Sequence, residues 1–279
     1  MSPFSVLIST YNGDNPSQLK QSLDSILNQS IIPNEIVVIE DGLLSQSLEQ
    51  VLVTFELKVK NLVPNCVFQV VKNDKNRGLG FALNDGIKYC SYELVARMDS
   101  DDIAKPDRFE KQLKVMEKCP EVQLVGSWVD EFSSDVNQIS TIRTVPEKSG
   151  DIYEYAKKRN PINHPTVMFR KQAVLDAGGY DTTSFSEDYF LWIRMLMNGC
   201  KFYNIQESLL FFRYSPETFK RRGGWKYACD EAKVQYKIYK MGFINSYELA
   251  RNVGIRFTTR ILPNKMREML YMRALRKNV

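Results

Sequence analysis

Apolar and polar positions follow two alternating rhythms along the first hundred residues. Residues 5–9 (SVLIS) form a short apolar run, and a turn-rich YNGDNP follows. Leu19, Leu23, Ile26 and Leu27 then fall on one face of a helix of 3.6-residue period. Residues 35–40 (EIVVIE) are a β-branched run of the kind buried on both faces of a parallel sheet. The pattern predicts helix over 48–59, strand over 67–71, helix over 79–89 opened by Gly78, and a fourth strand over 94–98. Four strand-then-helix repeats imply an α/β protein with a parallel sheet and right-handed crossovers.

Beyond Asp102 the rhythm changes. Pro106 starts a helix, strand-like runs occupy 122–129 and 165–169, and a short helix over 171–177 stops at Gly178-Gly179. Residues 188–197 (DYFLWIRMLM) read as an apolar helix and 201–214 as a pair of strands. From about 217 onward the chain reads as helical and increasingly basic. Within 245–279 the spacing predicts two helices broken at Pro263. The first carries Ile255, Phe257, Ile261 and Leu262, the second Met266, Leu270, Tyr271 and Leu275. There is no internal repeat.

Composition narrows the class. The 279 residues are 43% hydrophobic and 25% charged, ordinary for a globular chain able to bury a core without disulfide or metal staples. No run approaches the ~18–20 apolar residues that span a bilayer, and the first residues lack a basic leader. The expectation is a cytoplasmic protein. Five cysteines and one histidine, with no CxxC pair, argue against zinc and for free thiols. Charge is uneven. Positions 251–279 hold eight Lys/Arg and one acid, a net of +7, while the whole chain nets +5, leaving 1–250 at −2. A basic helical tail with apolar stripes suits an anionic membrane surface, so residues 245–279 are expected either to contact the inner face of the cell membrane or to pack on the catalytic domain as a basic helical pair. Nucleic acid is disfavoured, because the body lacks a continuing basic surface.

The polar clusters follow the strands: STYN, EDG, NDKNRG and DSDD. In open α/β sheets, ligands bind outside the carboxyl ends of the strands, so these clusters should share one crevice. Asp99, Asp101 and Asp102 lie within four positions directly after the fourth strand. Carboxylates so crowded repel unless a cation is present, and an oxygen-rich set suits Mg²⁺ or Mn²⁺ shared with substrate phosphates. Asp102 is also accounted for as a cap of the helix after Pro106. Glu40-Asp41-Gly42 offers acceptors for a base or ribose, or else a turn.

Together these stretches resemble the family-2 glycosyltransferases of the GT-A fold. The resemblance is carried in order by VLISTYNGD, SILNQS, EIVVIEDG, NRGLGFALNDGI, ARMDSDDIAKPDRFEKQ and SEDYFLWIRM, over about the first 215 residues. It is nearest to non-processive enzymes of capsule, exopolysaccharide or O-antigen assembly, since the QxxRW motif of processive synthases is missing. Arg221-Arg222-Gly223-Gly224-Trp225 stands in a comparable region without matching it. The resemblance implies a nucleotide-diphospho-sugar transferase fold, a Rossmann-like mixed sheet flanked by helices. Residues 1–104 would form the nucleotide-sugar half, 105–215 the acceptor-side half and 216–279 a helical C-terminal extension.

By resemblance, Thr10 and Tyr11 line the nucleotide pocket and Asp41 binds the base, with Glu40 where relatives often have an Asp. Asp101 is the direct metal ligand, Asp99 a ribose or metal contact, and Arg77 lies near the pyrophosphate. Asp188 is the catalytic base, with Glu187 and His164 on the acceptor side. Leu83 departs from the family, where many relatives carry a basic residue. One base and no enzyme nucleophile imply single displacement with inversion. The expected partners are a nucleotide-diphospho-sugar donor and a saccharide acceptor on a lipid carrier. Two other readings compete: a sugar nucleotidyltransferase, disfavoured because YNGDNP is a poor phosphate loop, and an inactive sugar-nucleotide-binding module, disfavoured by retention of Asp99, Asp101 and Asp188. The aromatic runs at Tyr189-Phe190-Trp192 and Phe211-Phe212 read as core.

Overall fold

The computed structural model describes residues 1–184, 186–214 and 223–262 and the backbone of 276–277. Its first strands are β1 (Phe4–Thr10), β2 (Glu35–Glu40), β3 (Val67–Lys72) and β4 (Leu94–Met98), joined by α1 (Pro16–Leu27), α2 (Gln46–Leu62) and α3 (Leu79–Tyr89). They pair in parallel in the order β4-β1-β2-β3, so every carboxyl end opens on the same edge. All six residues of β2 are buried. Alternate side chains serve two cores, because helices cover both faces. Leu7, Val37 and Ile39 pack with Leu83 and Ile87 of α3, while Val6, Ile8, Ile36 and Val38 pack with Leu19, Leu23 and Ile26 of α1.

The second half turns the sheet mixed. It runs through β5 (Ile103–Ala104), α4 (Arg108–Lys118), β6 (Val122–Phe132), β7 (Ile139–Arg143), α5 (Ser149–Ala156), β8 (Met168–Arg170), α6 (Lys171–Asp176), α7 (Glu187–Met197) and β9 (Lys201–Arg213). Antiparallel β8 sits between β4 and β6, and β7 continues beyond β6 to β10 (Arg276–Lys277). Strand β9 runs parallel to β6 and antiparallel to β5. The β5 pairing, Ile103 with Phe211 and Ala104 with Leu210, braces the chain just after the acidic triplet.

Two expectations change. The expected strand pair over 201–214 is one strand; no turn dipeptide interrupts it, and the polar Gln206-Glu207 is absorbed as a register shift against β6 between Ile205 and Ser208. The run at 165–169 begins instead as a 3-10 turn, His164–Thr166, because Pro165 cannot donate to a ladder. The C-terminal extension contains α8 (Trp225–Lys240) and α9 (Ser246–Ile261), the latter opened by a capping box of Asn245 and Glu248. Of the helix expected after Pro263, residues 263–275 and 278–279 lie outside the described residues, as do Arg221 and Arg222, while Arg276–Lys277 form strand β10 on β7 instead of continuing a helix. Among the described residues, no helix is long and apolar enough to cross a membrane.

Candidate active site

The site grows from the carboxyl ends of the strands. Thr10, buried at the end of β1, donates its hydroxyl to Asp14 at 2.9 Å, and the Tyr11 N–H reaches the same oxygen at 3.2 Å. Burial raises the Asp14 carboxyl above its usual range, against a hydroxyl from Ser100 and with Asp99 close by. Asp14 therefore belongs to the acidic cluster, although the sequence reading passed over it. Its only signal was its place in the turn after β1.

At the end of β2 the two acids part. Glu40 is buried and faces Lys72 at 3.3 Å, so its charge is matched within the sheet. Asp41 accepts the Arg77 and Gly78 N–H groups at 3.0 and 2.8 Å. It thus fastens the N-terminus of α3, where the helix dipole favours an anion. Gly42 lets the two loops meet: its φ is +89°, and a Cβ there would lie 2.5 Å from the Asn76 nitrogen. Arg77 pairs with Asp85 and lies over the Phe81 ring, so its contacts run along α3. The Asn73 side-chain nitrogen, at the end of β3, is buried without a partner.

Asp99, Asp101 and Asp102 each direct a carboxylate oxygen into one cluster, the three atoms within 4.8 Å of one another. Burial, with Asp99 and Asp14 beside it, pushes Asp101 up to about 6. Asp102 is fully buried; one oxygen accepts the Arg213 N–H at 2.8 Å and the other has no partner. Burial and the neighbouring acids hold it well above the ordinary carboxylate range. An oxygen-only set with crowded acids and an orphaned lone pair fits a hard divalent cation. Arg97 of β4, fully buried, forks onto both oxygens of Asp99. Arg213 at the end of β9 closes the other side, binding the Asp101 carbonyl at 2.9 Å and the Gln21 side chain at 2.7 Å. Neither arginine was singled out from sequence.

Across Arg97 lies the start of α7. The helix needs its length buried: Phe190, Leu191, Trp192, Ile193 and Met195 are all at most 1% exposed. Its first turn holds Glu187 and Asp188. Burial, then the adjacent Asp188, pushes Glu187 up to about 8. Burial also raises Asp188, while Asn160 donates to its Oδ2 at 2.6 Å and the Tyr189 N–H to its Oδ1 at 2.7 Å. The α3 helix comes close because residue 80 is glycine; a Cβ there would meet the Asp181 carbonyl oxygen at 2.5 Å and the Glu187 Cβ at 3.6 Å.

His164 stands beneath this turn, its Nε2 3.1 Å from the Tyr180 hydroxyl and its ring against Trp192. Burial and Arg97 hold its pKa well below the usual value, so it is a neutral hydrogen-bonding group. The structure thus draws Thr10, Asp99, Asp101, Glu187, Asp188 and His164 around Asp14 and Arg97. Glu40 and Arg77 are engaged with Lys72 and Asp85 instead.

Known proteins resemble the chain in sequence and in fold. The model of "Glycosyl transferase family 2" matches residues 5–177, and that of "Glycosyl transferase family group 2" matches 94–272. The chain is 38% identical to the Escherichia coli UDP-Gal:alpha-D-GlcNAc-diphosphoundecaprenol beta-1,3-galactosyltransferase, covering 98% of this chain and 97% of the relative. It is 39% identical to the amylovoran biosynthesis glycosyltransferase AmsE of Erwinia amylovora, covering 96% and 97%. Its fold is similar to the Pyrobaculum calidifontis mannosyltransferase PcManGT, solved with GDP-Man and Mn²⁺ (TM-score 0.66, 16% identity, 98% of this chain and 75% of that one). It is also similar to S. aureus TarS 1-349 with UDP-GlcNAc (TM-score 0.61, 17% identity, 92% and 72%).

Proposed function

Because the chain belongs to glycosyltransferase family 2 and has its GT-A fold, we propose that it moves a sugar from a nucleoside-diphosphate donor to a lipid-linked saccharide by metal-dependent, inverting single displacement. The observation that carries this reading is the opposition of two acidic groups across Arg97. One is the cation-fitting cluster after β4; the other is the Glu187–Asp188 pair at the start of α7, in which Asp188 is held by Asn160.

In this reading residues 1–104 take the donor, 105–215 the acceptor, and 216–279 form the extension. Thr10 and Tyr11 border the nucleotide, and Asp41 fixes the loop at the α3 N-terminus while its remaining lone pairs face the base. Asp101 and Asp99 hold Mn²⁺ or Mg²⁺, which when bound offsets the charge of the departing diphosphate. Glu40 and Arg77 shape the donor side through Lys72 and Asp85.

On the acceptor side the Glu187–Asp188 pair retains one proton at neutral pH. Glu187 holds it, because Asp188 alone receives the Asn160 hydrogen bond that favours the ionised form. Asp188 then takes the proton of the attacking hydroxyl, protonated Glu187 donates a hydrogen bond to a sugar oxygen, and neutral His164 steadies the acceptor. The pair then holds two protons, and Asp188 returns the one taken from the hydroxyl to solvent water as the product leaves.

The acceptor class follows from the undecaprenol-linked acceptor in the relative's name. A lipid-linked acceptor brings the enzyme to the inner face of the cell membrane. Tyr247, Ile255 and Ile261 are exposed on α9, and the charge at 251–279 suits anionic lipid. The packing of α9 limits which residues serve this contact, since Arg256 and Arg260 are turned inward onto Glu231.

Donor turnover by Asp101→Asn and Asp188→Asn tests the reading. Asp101→Asn should remove the dependence of turnover on added Mn²⁺ together with the turnover. Asp188→Asn should lower the rate by about 10²–10⁴-fold with donor affinity retained. A folded Asp188→Asn protein that transfers at the original rate would take the base away from this account.

A further inference from the structure

Among the described residues, the Asp188 carboxylate accepts a side-chain hydrogen bond from outside its own helix from Asn160, whose Nδ2 donates to Oδ2 at 2.6 Å. Asn160 is itself fixed. Its Oδ1 accepts the Ile162 N–H at 3.2 Å, and Pro161 restricts its backbone to extended conformations. One residue therefore presents an amide donor to the base and cannot swing it away without breaking a local turn.

The strand of chain leading to Asn160 is gripped as well. Helix α5 ends with carbonyls that have no partner within the helix. Three consecutive ones are taken by donors from other elements: Ala156 by the Tyr189 hydroxyl of α7 at 2.5 Å, Lys157 by Asn252 at 2.7 Å, and Lys158 by Arg256 at 2.8 Å. The last two donors belong to α9. They are set by a buried polar network, in which Asn252 also binds the Gln235 Oε1 of α8 at 2.9 Å and Arg256 and Arg260 both pair with Glu231. Glu231, Gln235, Asn252 and Arg260 are each less than 10% exposed. Polar groups this deep are costly unless engaged; apart from the Gln235 Nε2, which is buried without a partner, their paired atoms favour one seating of α8 and α9.

We propose that Asn160 is a positioning residue for Asp188, and that the α8–α9 pair, through Asn252 and Arg256, holds the segment that presents it. The inference rests on Asp188 being the base. It makes the helical extension part of the acceptor side of the site, whatever α9 does at a membrane. The amide fixes the rotamer of Asp188 so that an oxygen faces the acceptor hydroxyl, and it favours the ionised form. The other charged and titratable groups facing Asp188 among the described residues are Glu187 and the buried Tyr189 on its own helix, Arg97 on β4, Arg143 on β7 and the buried Tyr180. None of them is altered by the substitutions below.

The test uses the full chain, Mn²⁺ and a nucleotide sugar that thermally stabilises the wild type. Asn160→Asp keeps the size of the side chain and its acceptor for the Ile162 N–H but replaces the donor with a second carboxylate against Asp188; Asn160→Ala removes the group without adding charge and isolates the lost hydrogen bond. Loss of a hydrogen bond to a charged group predicts that kcat falls roughly ten- to hundredfold. Donor KM should be unchanged, and the acid limb of the kcat profile should move to higher pH because the ionised base has lost a stabilising donor. Asn252→Ala, remote from the reacting groups, should move kcat and the acid limb in the same direction by a smaller amount. If Asn252→Ala lowers only thermal stability and leaves the profile in place, the part assigned to α8–α9 is wrong. If both Asn160 variants match the wild type in kcat and profile while Asp188→Asn is inactive, Asn160 has no positioning role. If Asp188→Asn is itself active, the base assignment fails first and the inference with it.

Discussion

Glu187→Gln tests the electrostatics of the acceptor side in the folded protein alone, with no substrate. The Glu187 carboxyl rises from 4.5 to about 8 through burial and the neighbouring Asp188. A carboxyl raised on folding keeps its proton in the native state over a pH range where the unfolded chain has lost it. Stability then falls as pH rises from the unfolded value through the folded one. The difference corresponds to up to about 4 kcal/mol between pH 4.5 and 8. Gln has the shape of the protonated acid and does not titrate. Wild type and Glu187→Gln should therefore have similar stability near pH 5, and the variant should be the more stable by a few kcal/mol near pH 8.5. Urea unfolding at closely spaced pH values measures this directly. Parallel stability curves for the two proteins would refute the assignment of the retained proton to this pair.

Other consequences can be checked separately. Gly80→Ala places a methyl 2.5 Å from the Asp181 carbonyl; the displacement this forces on the loop leading into α7 should cost about 1–3 kcal/mol and lower transfer more than donor binding, measured by unfolding and steady-state kinetics. Trp192→Ala empties the fully buried centre of α7 and should cost about 3–5 kcal/mol, read by urea denaturation. Ile255→Glu with Ile261→Glu, at exposed positions of α9, should abolish salt-sensitive co-sedimentation with anionic vesicles while preserving the melting temperature; undiminished binding would remove α9 from the membrane contact.

Much of the fold was legible because its signals are local. The β-branched EIVVIE and the period of Leu19, Leu23 and Ile26 each name their element without long-range information. The antiparallel insertion of β8 between β4 and β6 was not legible: the strand-like run over 165–169 marks a strand but not its partners, and pairing across about seventy positions sets its place. The single long β9 was misread for a similar reason, since its polar interruption is tolerated by the β6 register. In the site, Asp99, Asp101 and Asp188 stood out as crowded acids or by family resemblance. Asp14, Arg97, Arg213 and Asn160 did not, because each matters only through a partner brought near by the fold. An arginine inside an apolar strand is the stronger hint: a buried guanidinium requires an acceptor, and Arg97 finds it in Asp99.

The central claim is displacement by an acceptor hydroxyl activated by Asp188, with no sugar ever attached to the enzyme. The anomeric configuration of the product tests it most directly. A donor selected by thermal stabilisation with Mn²⁺ is turned over with a saccharide on a diphospholipid, and proton NMR coupling at the new anomeric centre is read before any mutarotation. An α-configured donor should give a β-linked product, released together with the nucleoside diphosphate. An α-linked product from the same donor would contradict single displacement and the role given to Asp188.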